Sequence, residues 1–425
     1  MSRDTLWNHY VAKTLPEIRH SFEQLKIILP FEPALRFPEF TGEWKEERLS
    51  EIADIYKGAG ISKDQLSDNG EPCILYGELY TKYKTETITE VISRTDIDNT
   101  KLVRSKANDV IIPCSGETAE DIATARCVIK DGILLGGDLN IIRLHNYDGS
   151  FVSYQLNGKR KYDIAKVAQG VSVVHLYGEH LKGVKTVNPC LAEQKKISRF
   201  LSLLDERIAV QNRLIDRLQS LIKGIMVKLQ QQGLSKGTWK RVPLSSILKE
   251  RTELNEGLLP VYSVSVSQGV VNQMEYLGRS FAAKDTSKYH VAHFGDLIYT
   301  KSPTGSFPYG IVKQNSNRYK VAVSPLYGVY TPANYFTGVF LQEYFKSEVN
   351  TFNYLHSLIQ KGAKNTINIT NQRFLDNYIL IPTDSNDLQQ ISNLLLRLNA
   401  KKDLMQNMLQ QYQEQKQYLL RQMFI

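Results

Sequence analysis

Two long stretches of the chain place apolar residues at spacings that alternate between four and three. The first stretch carries the seam Ile197, Leu201, Leu204, Ile208, Gln211, Ile215, Leu218, Ile222, Ile225 and Leu229. The second carries the seam Ile391, Leu395, Leu398, Lys402, Met405, Leu409, Tyr412, Lys416, Leu419 and Met423. This alternation is the period of a coiled coil. The pattern therefore predicts two long helices, each of which buries one face against another helix.

Outside the two seams, the chain consists of short β-branched and aromatic runs that are broken by Gly, Pro, Asn and Asp. Examples are NDVIIPCSGE at 108–117 and FGDLIYTKSP at 294–303. Such runs are typical of strands joined by turns, and there is little sign of regular strand–helix–strand alternation. The regions before each seam are therefore predicted to be mixed α/β domains.

The chain also repeats itself. TGEWKEERLSEI at 41–52 returns as KGTWKRVPLSSI at 236–247, with Trp, Leu and Ile matched at a constant offset of 195 residues. Pro189 and Pro382, which precede the two seams, lie 193 residues apart, and the seams themselves begin 194 residues apart at Ile197 and Ile391. Loop insertions account for such small drifts in the offset. The protein is therefore interpreted as one unit written twice.

The predicted fold class is α+β: two tandem mixed α/β domains separated by a long antiparallel two-helix coiled coil, in a pseudo-two-fold repeat. The predicted bounds are 1–35 for an N-terminal extension, 36–190 for the first domain, 191–232 for the first helix, 233–386 for the second domain and 387–425 for the second helix. A two-fold axis perpendicular to the helices makes them antiparallel. With their ends level, Lys416 falls near Asp205 and Lys402 near Asp216, which gives each buried ammonium a partner.

Composition adds a hint about partners. The chain of 425 residues carries a formal charge of +9, and 42% of its residues are hydrophobic. These values indicate a globular protein with more than one domain and favour a polyanionic partner. The chain has no run of 18 apolar residues, so no membrane span is expected, and the N-terminus lacks the apolar core of a secretion signal. Cys73, Cys114, Cys127 and Cys190 form no CxxC pair, so thiols in a reducing cytoplasm are expected rather than a zinc site.

Signatures of catalysis are missing from the sequence. The stretch GEHLKGVKT at 178–186 falls short of a phosphate-binding P-loop because Val184 separates the glycine from the lysine. The chain contains neither an Asn/Asp-Pro-Pro-aromatic sequence of amino-methyltransferases nor an HExxH zinc motif. We therefore expect no catalytic residues and no metal site, and recognition without catalysis.

Two segments resemble the specificity (S) subunits of type I restriction–modification enzymes. RFPEFTGEWKEERLSEI at 36–52 resembles the entry into their first target-recognition domain. The junction that follows resembles their central conserved region, with Pro189, Leu191, Glu193, Gln194 and Ile197 at the family positions. The second copy departs from this pattern, because Asp387-Leu388-Gln389-Gln390 stands in place of the Glu-Gln step.

The resemblance implies a subunit without an active site, in which each recognition domain binds one half of a bipartite double-stranded DNA target. It implies that the helices set the distance between the halves and dock two modification subunits, which are adenine methyltransferases that bind S-adenosylmethionine. Restriction subunits, which are translocases, join with ATP and Mg. No cofactor is expected in this chain, and the complex is expected to be cytoplasmic.

Candidate DNA contacts are Lys, Arg, Tyr, Ser, Thr and Asn side chains in predicted loops, where cations hold phosphates and hydroxyls or amides read bases. In the first domain they are Tyr76, Tyr80, Lys82, Tyr83, Lys84, Ser115, Thr118, Lys159 and Arg160. In the second they are Lys301, Ser302, Thr304, Ser306, Tyr309, Lys361, Lys364 and Asn365. A packing or surface role for each of them stays open at this point.

Two rival interpretations also stay open. One is a self-contained DNA-modifying enzyme with a diverged active site. The other is a coiled-coil scaffold that binds protein alone, which the seams fit but the duplicated mixed domains do not. Residues 1–35 lie outside the repeat and carry an apolar stripe of Ile18, Phe22 and Leu25, which suits either a packed extension or a docking surface.

Overall fold

The computed structural model describes residues 32–98, 101–170, 173–279, 282–361 and 367–425. The chain forms two compact units: unit 1 comprises residues 1–210 and 409–425, and unit 2 comprises residues 211–408. The stripe predicted in the N-terminal extension lies outside the described residues. In the described part of the chain, no helix combines the length and apolarity needed to cross a membrane.

Unit 1 is built around a mixed five-stranded sheet. The strands of the whole unit are β1 (Lys45–Arg48), β2 (Ala53–Lys57), β3 (Glu71–Ile74), β4 (Thr87–Ile88), β5 (Ser93–Thr95), β6 (Val103–Arg104), β7 (Asp109–Pro113), β8 (Ser115–Gly116), β9 (Arg126–Val128), β10 (Leu134–Leu135), β11 (Leu139–Leu144), β12 (Val174–His175) and β13 (Lys185–Asn188). Its short helices are α1 (Leu49–Ile52), α2 (Glu78–Thr81), α3 (Ala119–Ile122), α4 (Gly149–Asn157), α5 (Lys161–Val167) and α6 (Gly178–Lys182). The order of the main sheet is β2-β11-β7-β9-β4, and β5-β3-β10-β6 form a second sheet.

The apolar run Val110-Ile111-Ile112 explains why β7 lies inside the main sheet. Val110 and Ile112 pack in one hydrophobic cluster with Phe151 of α4, whereas Ile111 packs in another with Leu79 of α2. Because side chains alternate between the faces of a strand, a run that is apolar on both faces needs cover on both. All three residues are fully buried.

Unit 2 repeats this design with shorter strands. Its strands are β14 (Trp239–Pro243), β15 (Leu248–Glu250), β16 (Tyr262–Ser265), β17 (Gly269–Asn272), β18 (His290–Ala292), β19 (Leu297–Tyr299), β20 (Val312–Gln314), β21 (Val321–Val323), β22 (Gly328–Pro332), β23 (Gln360–Lys361), β24 (Ile367–Asn368) and β25 (Tyr378–Pro382). The sheet order β15-β22-β19-β20 matches β2-β11-β7-β9 of unit 1. Leu297 and Tyr299 of β19 face one hydrophobic cluster and Ile298 faces another, which is the alternation found in β7.

The repeat extends to single turns. Asp109 and Asp296 lie 187 residues apart; Asp109 is the first residue of β7, and Asp296 directly precedes the equivalent strand β19. The residue before each has a positive φ, 81° at Asn108 and 87° at Gly295. Each aspartate accepts a hydrogen bond from the backbone N–H three residues earlier, at 2.7 Å in unit 1 and 2.8 Å in unit 2. The prediction of one unit written twice is confirmed at this level of detail.

The repeated tryptophans of the opening motif occupy matched positions. β1 pairs antiparallel with β13, and β14 pairs antiparallel with β25. Trp44 meets Phe151 at a ring distance of 5.9 Å and an angle of 66°, and Trp239 meets Phe340 at 5.6 Å and 64°. Both indoles are buried. In each unit this aromatic contact lies next to the two-stranded sheet, β1–β13 or β14–β25, and this shared packing explains why the motif recurs.

The remaining helices of unit 2 are α8 (Gln273–Leu277), α9 (Tyr335–Phe345), α10 (Glu348–His356) and α11 (Asn371–Phe374). Two long helices, α7 (Leu191–Ser235) and α12 (Ser385–Gln422), carry the predicted seams. Helix α7 passes its predicted end at residue 232. Gly233 lies within the helix, and the absence of a side chain there leaves room for Trp239: a Cβ would lie 1.9 Å from the indole. The turn comes at Gly237, where φ is +65°.

The seams pair antiparallel, as predicted. Within unit 1, Lys416 lies 2.7 Å from Asp205, and Arg207 lies 4.8 Å from the Tyr412 ring, so contacts on one helix move backwards along the other. Within unit 2, the Gln211 side chain donates a 2.8 Å hydrogen bond to the Met405 carbonyl.

The seam residues pack with the unit to which each belongs. In unit 1, Ile197, Leu201 and Leu419 are buried, and Leu204, Ile208, Leu409 and Tyr412 are partly buried. In unit 2, Ile215, Leu218, Ile222 and Leu395 are buried, and Ile391, Leu398 and Met405 are partly buried.

The register predicted from level helix ends is confirmed for one lysine. Lys416 approaches Asp205 as expected. The ion pair observed for Lys402 is with Asp403, its neighbour along the helix, at 3.7 Å. Lys402 can reach this neighbour because its side chain is partly exposed.

The two junctions differ as their sequences suggest. In unit 1, Glu193 is 1% exposed and receives two hydrogen bonds from Arg36, at 2.8 and 2.9 Å. Gln194 accepts from the Asp148 N–H and donates to the Pro189 carbonyl. At the corresponding place in unit 2, Asp387 is exposed and Leu388 is buried. A buried polar pair is thus replaced by one apolar side chain.

Candidate nucleic-acid interface

In unit 1 the chain leaves β7 and forms a small cleft. Ser115 of β8 pairs with His175 of β12, and the Ser115 hydroxyl lies 3.3 Å from His175 Nδ1. The Leu176 N–H donates to the Cys114 carbonyl at 2.8 Å, which fixes the next residue, Tyr177. We define the unit 1 cleft as the cavity of about 300 Å³ lined chiefly by Tyr56, Lys57, Ser115, Asp138, His175 and Tyr177.

Two tyrosines border this cleft and remain open to solvent. Tyr56 is 46% exposed and Tyr177 is 54% exposed. Tyr177 stacks on His175 with a ring distance of 6.3 Å, and the Arg143 guanidinium lies 5.1 Å from the centre of the Tyr56 ring. Exposed aromatic rings on an ordered backbone suit contacts with bases, because little conformational entropy is lost when they bind.

A second group of sequence candidates meets on the short helix α2. Tyr76 and Tyr80 are half-buried. Burial raises the pKa of Tyr80, and the charges of Asp121 and Glu117 act in the same direction. Thr118 caps α3 by accepting a hydrogen bond from the Asp121 N–H. The neighbouring carboxylates make this group a poor place for phosphate.

Three candidates on or next to α2 have structural contacts. The prediction for Tyr83 is wrong: the residue is 6% exposed, packs with Ile74 and Leu79, and burial raises its pKa to about 12. The sequence could not separate it from the half-buried Tyr76 and Tyr80 nearby. The Lys82 ammonium is held by Glu78 and Ser93, and the exposed Lys84 reaches the Tyr80 carbonyl.

Lys159 and Arg160 occupy the turn between α4 and α5. Lys159 is exposed, whereas Arg160 is half-buried and lies 3.5 Å from Asp163. Lys159 is therefore the freer of the two for a phosphate contact.

In unit 2, the loop that follows β19 carries five candidates. Burial lowers the pKa of Lys301, and Ser302 is exposed. Thr304 exchanges backbone hydrogen bonds with Phe307, and the Ser306 hydroxyl donates to Glu348 at 2.6 Å. The loop therefore has an internal turn and a tie to α10.

Tyr309 ends this loop in an aromatic group. Its hydroxyl lies 3.1 Å from His356 Nδ1, and its ring lies 5.3 Å from the ring of Phe352. Phe352 is 40% exposed. The unit thus presents aromatic surface at the same strand end as unit 1. The candidates Lys364 and Asn365 lie outside the described residues, as does the side chain of Lys361.

The sequence reasoning missed Tyr56, Lys57, His175 and Tyr177. A signal for the last two was present in VHLY at 174–177, where Val174 and Leu176 are buried and the residues that alternate with them are exposed. Two-residue alternation places His175 and Tyr177 on one open face. Tyr56 and Lys57 end a strand whose exposed side could not be told from its buried side without its partner β11.

The described residues contain no cluster of His, Cys, Asp and Glu able to hold a metal ion. Burial raises the pKa of Cys73 and of Cys114 to about 11 and that of Cys127 to about 12. Such thiols are poor nucleophiles at neutral pH.

Comparison with known proteins finds a family model that matches part of the chain. The model of the type I restriction modification DNA specificity domain matches residues 41–220. This part of the chain is therefore similar to that domain. The resemblance to specificity subunits that the sequence predicted is thereby confirmed.

Relatives and solved structures agree with this domain. The chain is 25% identical over 246 residues to the type I restriction enzyme MjaVIII specificity subunit of Methanocaldococcus jannaschii, a match that covers 56% of this chain. The match covers 55% of that protein, so the chain spans about half the length of this curated relative.

A crystal structure of a type I restriction-modification system S subunit from M. genitalium superposes with a TM-score of 0.63 at 15% identity, covering 93% of this chain and 99% of that one. The HsdS subunit from Thermoanaerobacter tengcongensis aligns at 13% identity with a TM-score of 0.42, covering 93% and 99%. The first of these likenesses supports the fold of two mixed domains with long helices.

Proposed function

We propose that the chain is the DNA sequence-specificity subunit of a type I restriction–modification complex, in which each unit binds one half of a bipartite target. The observation that carries this proposal is the repeat. Residues 41–220 match the model of the specificity domain, and unit 2 builds the same sheet order with the same aspartate turn. Two copies of one reader in one chain suit a target with two separate halves.

The charge of the chain supports DNA as the ligand. With a formal charge of +9, the protein attracts phosphate, and this attraction weakens with salt because bound counterions are released. Each neutralised phosphate contributes about 0.9 to the slope of log affinity against log salt. A flat salt dependence of DNA binding would contradict this part of the proposal.

The outer faces of the long helices support docking of partner subunits. A second apolar stripe remains exposed along α7, with Phe200, Leu203 and Val210 in unit 1 and Leu214 and Leu221 in unit 2. Exposed apolar residues at this spacing suit a partner helix. We assign this surface to two modification subunits, which would supply S-adenosylmethionine and adenine methylation, and restriction subunits would add ATP and Mg.

In this proposal the chain itself is non-catalytic and acts inside the cytoplasm. The rival is a self-contained DNA-modifying enzyme, and no observation in the described residues favours it. Incubating the purified chain with DNA, labelled S-adenosylmethionine and magnesium separates the two. We expect no label on DNA until modification subunits are added, and labelling by the chain alone would establish the rival.

The proposal also makes α7 and α12 a ruler for the DNA spacer. One heptad of helix rises about 10 Å, and duplex DNA rises about 3.4 Å per base pair. A heptad inserted after Gln211 in α7 and another before Met405 in α12 keep the two seams in register, because these residues face each other. The spacer should lengthen by up to about three base pairs, with weaker binding because those base pairs also rotate one half-site by roughly 100°.

Sequencing of methylated adenines in cells that carry the variant measures this directly. The half-sites should stay as they are in the parent. A heptad inserted in α7 alone serves as the control, since it breaks the register and should abolish methylation. An unchanged spacer in a methylating double insertion would show that the helices are not the ruler.

A further inference from the structure

The unit 1 cleft is close to neutral, which distinguishes it from a phosphate-binding surface. Its cation Lys57 lies 3.9 Å from Asp138, and Glu179 at its edge lies 2.7 Å from Lys182. Unbalanced positive charge favours phosphate binding, and these pairs do not provide it. The groups outside these ion pairs are hydroxyls and an imidazole, and such groups can recognise the edges of bases.

The polar atoms of the cleft are available for a ligand. In the described part of the chain, the hydroxyls of Tyr56 and Tyr177 have no hydrogen-bond partner, although both residues make ring contacts. Asp138 is held in a left-handed conformation with φ 58°, and its carbonyl accepts from the Cys114 N–H at 2.7 Å. The side chains therefore project from a fixed backbone.

The internal repeat shows where the two units diverge. Tyr56 of unit 1 corresponds to Arg251 of unit 2 by the offset of 195 residues that relates the opening motifs. Arg251 turns toward Asp296, at 2.6 Å, whereas in unit 1 Arg143 of β11 binds Asp109, at 2.8 Å. The framework aspartate is satisfied in both units, but only unit 1 leaves a tyrosine at this place on the surface.

We propose that Tyr56, Ser115, His175 and Tyr177 of the unit 1 cleft read base edges of duplex DNA and set the sequence of the half-site that unit 1 binds. The inference rests on the proposed function and adds to it the residues that determine specificity. The aromatic rings contact the bases, and the Ser115–His175 pair donates or accepts at their edges. Phosphate contacts are made elsewhere on the unit.

The test uses the full chain assembled with its modification subunits and a DNA pool in which each half-site is randomised in turn. The variants are Tyr177→Ser and Ser115→Ala, and the matched control is Tyr162→Ser, which removes a tyrosine of unit 1 that is 69% exposed and lies outside the cleft. Each cleft variant should relax the preference at one or two positions of one half-site by about 5- to 100-fold. The other half-site and the salt slope should match the parent.

Three outcomes would overturn the inference while the proposed function stands: unchanged preferences, a uniform loss of affinity with a smaller salt slope, or an equal change in Tyr162→Ser. If Tyr177→Ser lowers the melting temperature, Ser115→Ala decides, because it removes a single oxygen atom. A parent complex that selects no bipartite sequence would instead remove the proposed function itself.

Discussion

Unit 1 and unit 2 use different side chains where their seam helix meets the mixed α/β domain. In unit 1, the Lys416 ammonium lies 2.6 Å from Glu86 and 2.7 Å from Asp205, and the Tyr154 hydroxyl donates to Asp205 at 2.6 Å. Although burial opposes it, the charges of Glu86 and Asp205 raise the pKa of Lys416. Two carboxylates and one ammonium thus share a buried site.

In unit 2, the equivalent positions hold a different set. The seam offset of 194 puts Ile222 in place of Lys416 and Asn399 in place of Asp205. Glu343, which corresponds to Tyr154 by the same offset that relates Phe340 to Phe151, is paired with Lys346, and Lys346 also donates to Asn399 at 3.2 Å. An apolar residue has thus replaced the lysine at this seam position, and the ion pair lies within the mixed α/β domain instead.

A second difference between the two units concerns the buried cation of the sheet. Arg126 in unit 1 corresponds to Lys313 in unit 2, and both are buried. Burial lowers the pKa of both, but to about 8 for Lys313, whereas an arginine stays protonated. The comparison teaches that the repeat preserves packing more strictly than it preserves the way in which charge is compensated.

The largest effect is expected from Lys416→Met. The change leaves Glu86 and Asp205 buried without their cation, so the free energy of unfolding should fall by about 3–5 kcal/mol. Hydrogen exchange read by mass spectrometry localises the loss, which should appear in peptides of unit 1 such as 139–157. Adding Asp205→Asn should recover part of it. Parent-like protection in unit 1 would mean that the cluster contributes little.

A smaller loss is expected from Arg36→Ala at the unit 1 junction. Glu193 would then be buried without the two hydrogen bonds from Arg36, at a cost of about 3 kcal/mol. The control is Asp387→Asn at the unit 2 junction, which should be silent because Asp387 is exposed. Urea unfolding measures both, and an equal response of the two variants would contradict the contrast between the junctions.

Lys313 predicts a dependence of stability on pH that its counterpart in unit 1 does not share. Its pKa falls from 10.5 to about 8 on folding, so the unfolded chain binds the extra proton between these values. The cost of burying the charge is therefore present below pH 8 and is relieved as pH rises toward 10.5, by about 2 kcal/mol between pH 7 and 9.5.

Comparison of the parent with Lys313→Met at each pH removes the contribution of other groups. As pH rises from 7 to 9.5, the unfolding free energy of the parent should increase relative to that of Lys313→Met, because only the parent loses the cost of a buried charge. A difference that stays constant from pH 7 to 9.5 would show that Lys313 titrates near its usual value.

The smallest effect is expected from Lys402→Met. Lys402 occupies a seam position like Lys416, but its partner Asp403 is 66% exposed at the side chain, and such pairs contribute less than about 1 kcal/mol. Urea unfolding of Lys402→Met beside Lys416→Met therefore compares two lysines of one seam. A loss of several kcal/mol in Lys402→Met would point to a buried partner.

The sequence was most informative where a feature repeats. The 4–3 spacing of the seams predicts two antiparallel helices, and level helix ends predict the approach of Lys416 to Asp205, because both follow from helix geometry. The third partner, Glu86, could not be foreseen, since it comes from a loop before β4, 330 residues away in the chain.

Individual site residues were harder to predict. Tyr83 and Tyr80 lie three residues apart in one polar stretch, yet Tyr83 is in the core and Tyr80 is half-buried. Tyr56 of β2 and Tyr177, which follows β12, come together only because both strands border one cleft in the folded chain. Such proximity depends on strand order, which local patterns do not encode.

The discontinuity of unit 1 has a consequence for how the protein is made. Phe424 packs against Phe151 in the unit 1 core, and Leu35 donates a backbone hydrogen bond to Gln422, so the first domain needs residues that the ribosome adds much later. Unit 2, which is continuous from 211 to 408, is synthesised entirely before those residues. The half that begins first therefore completes its core last, and the nascent chain exposes that core while unit 2 is being translated.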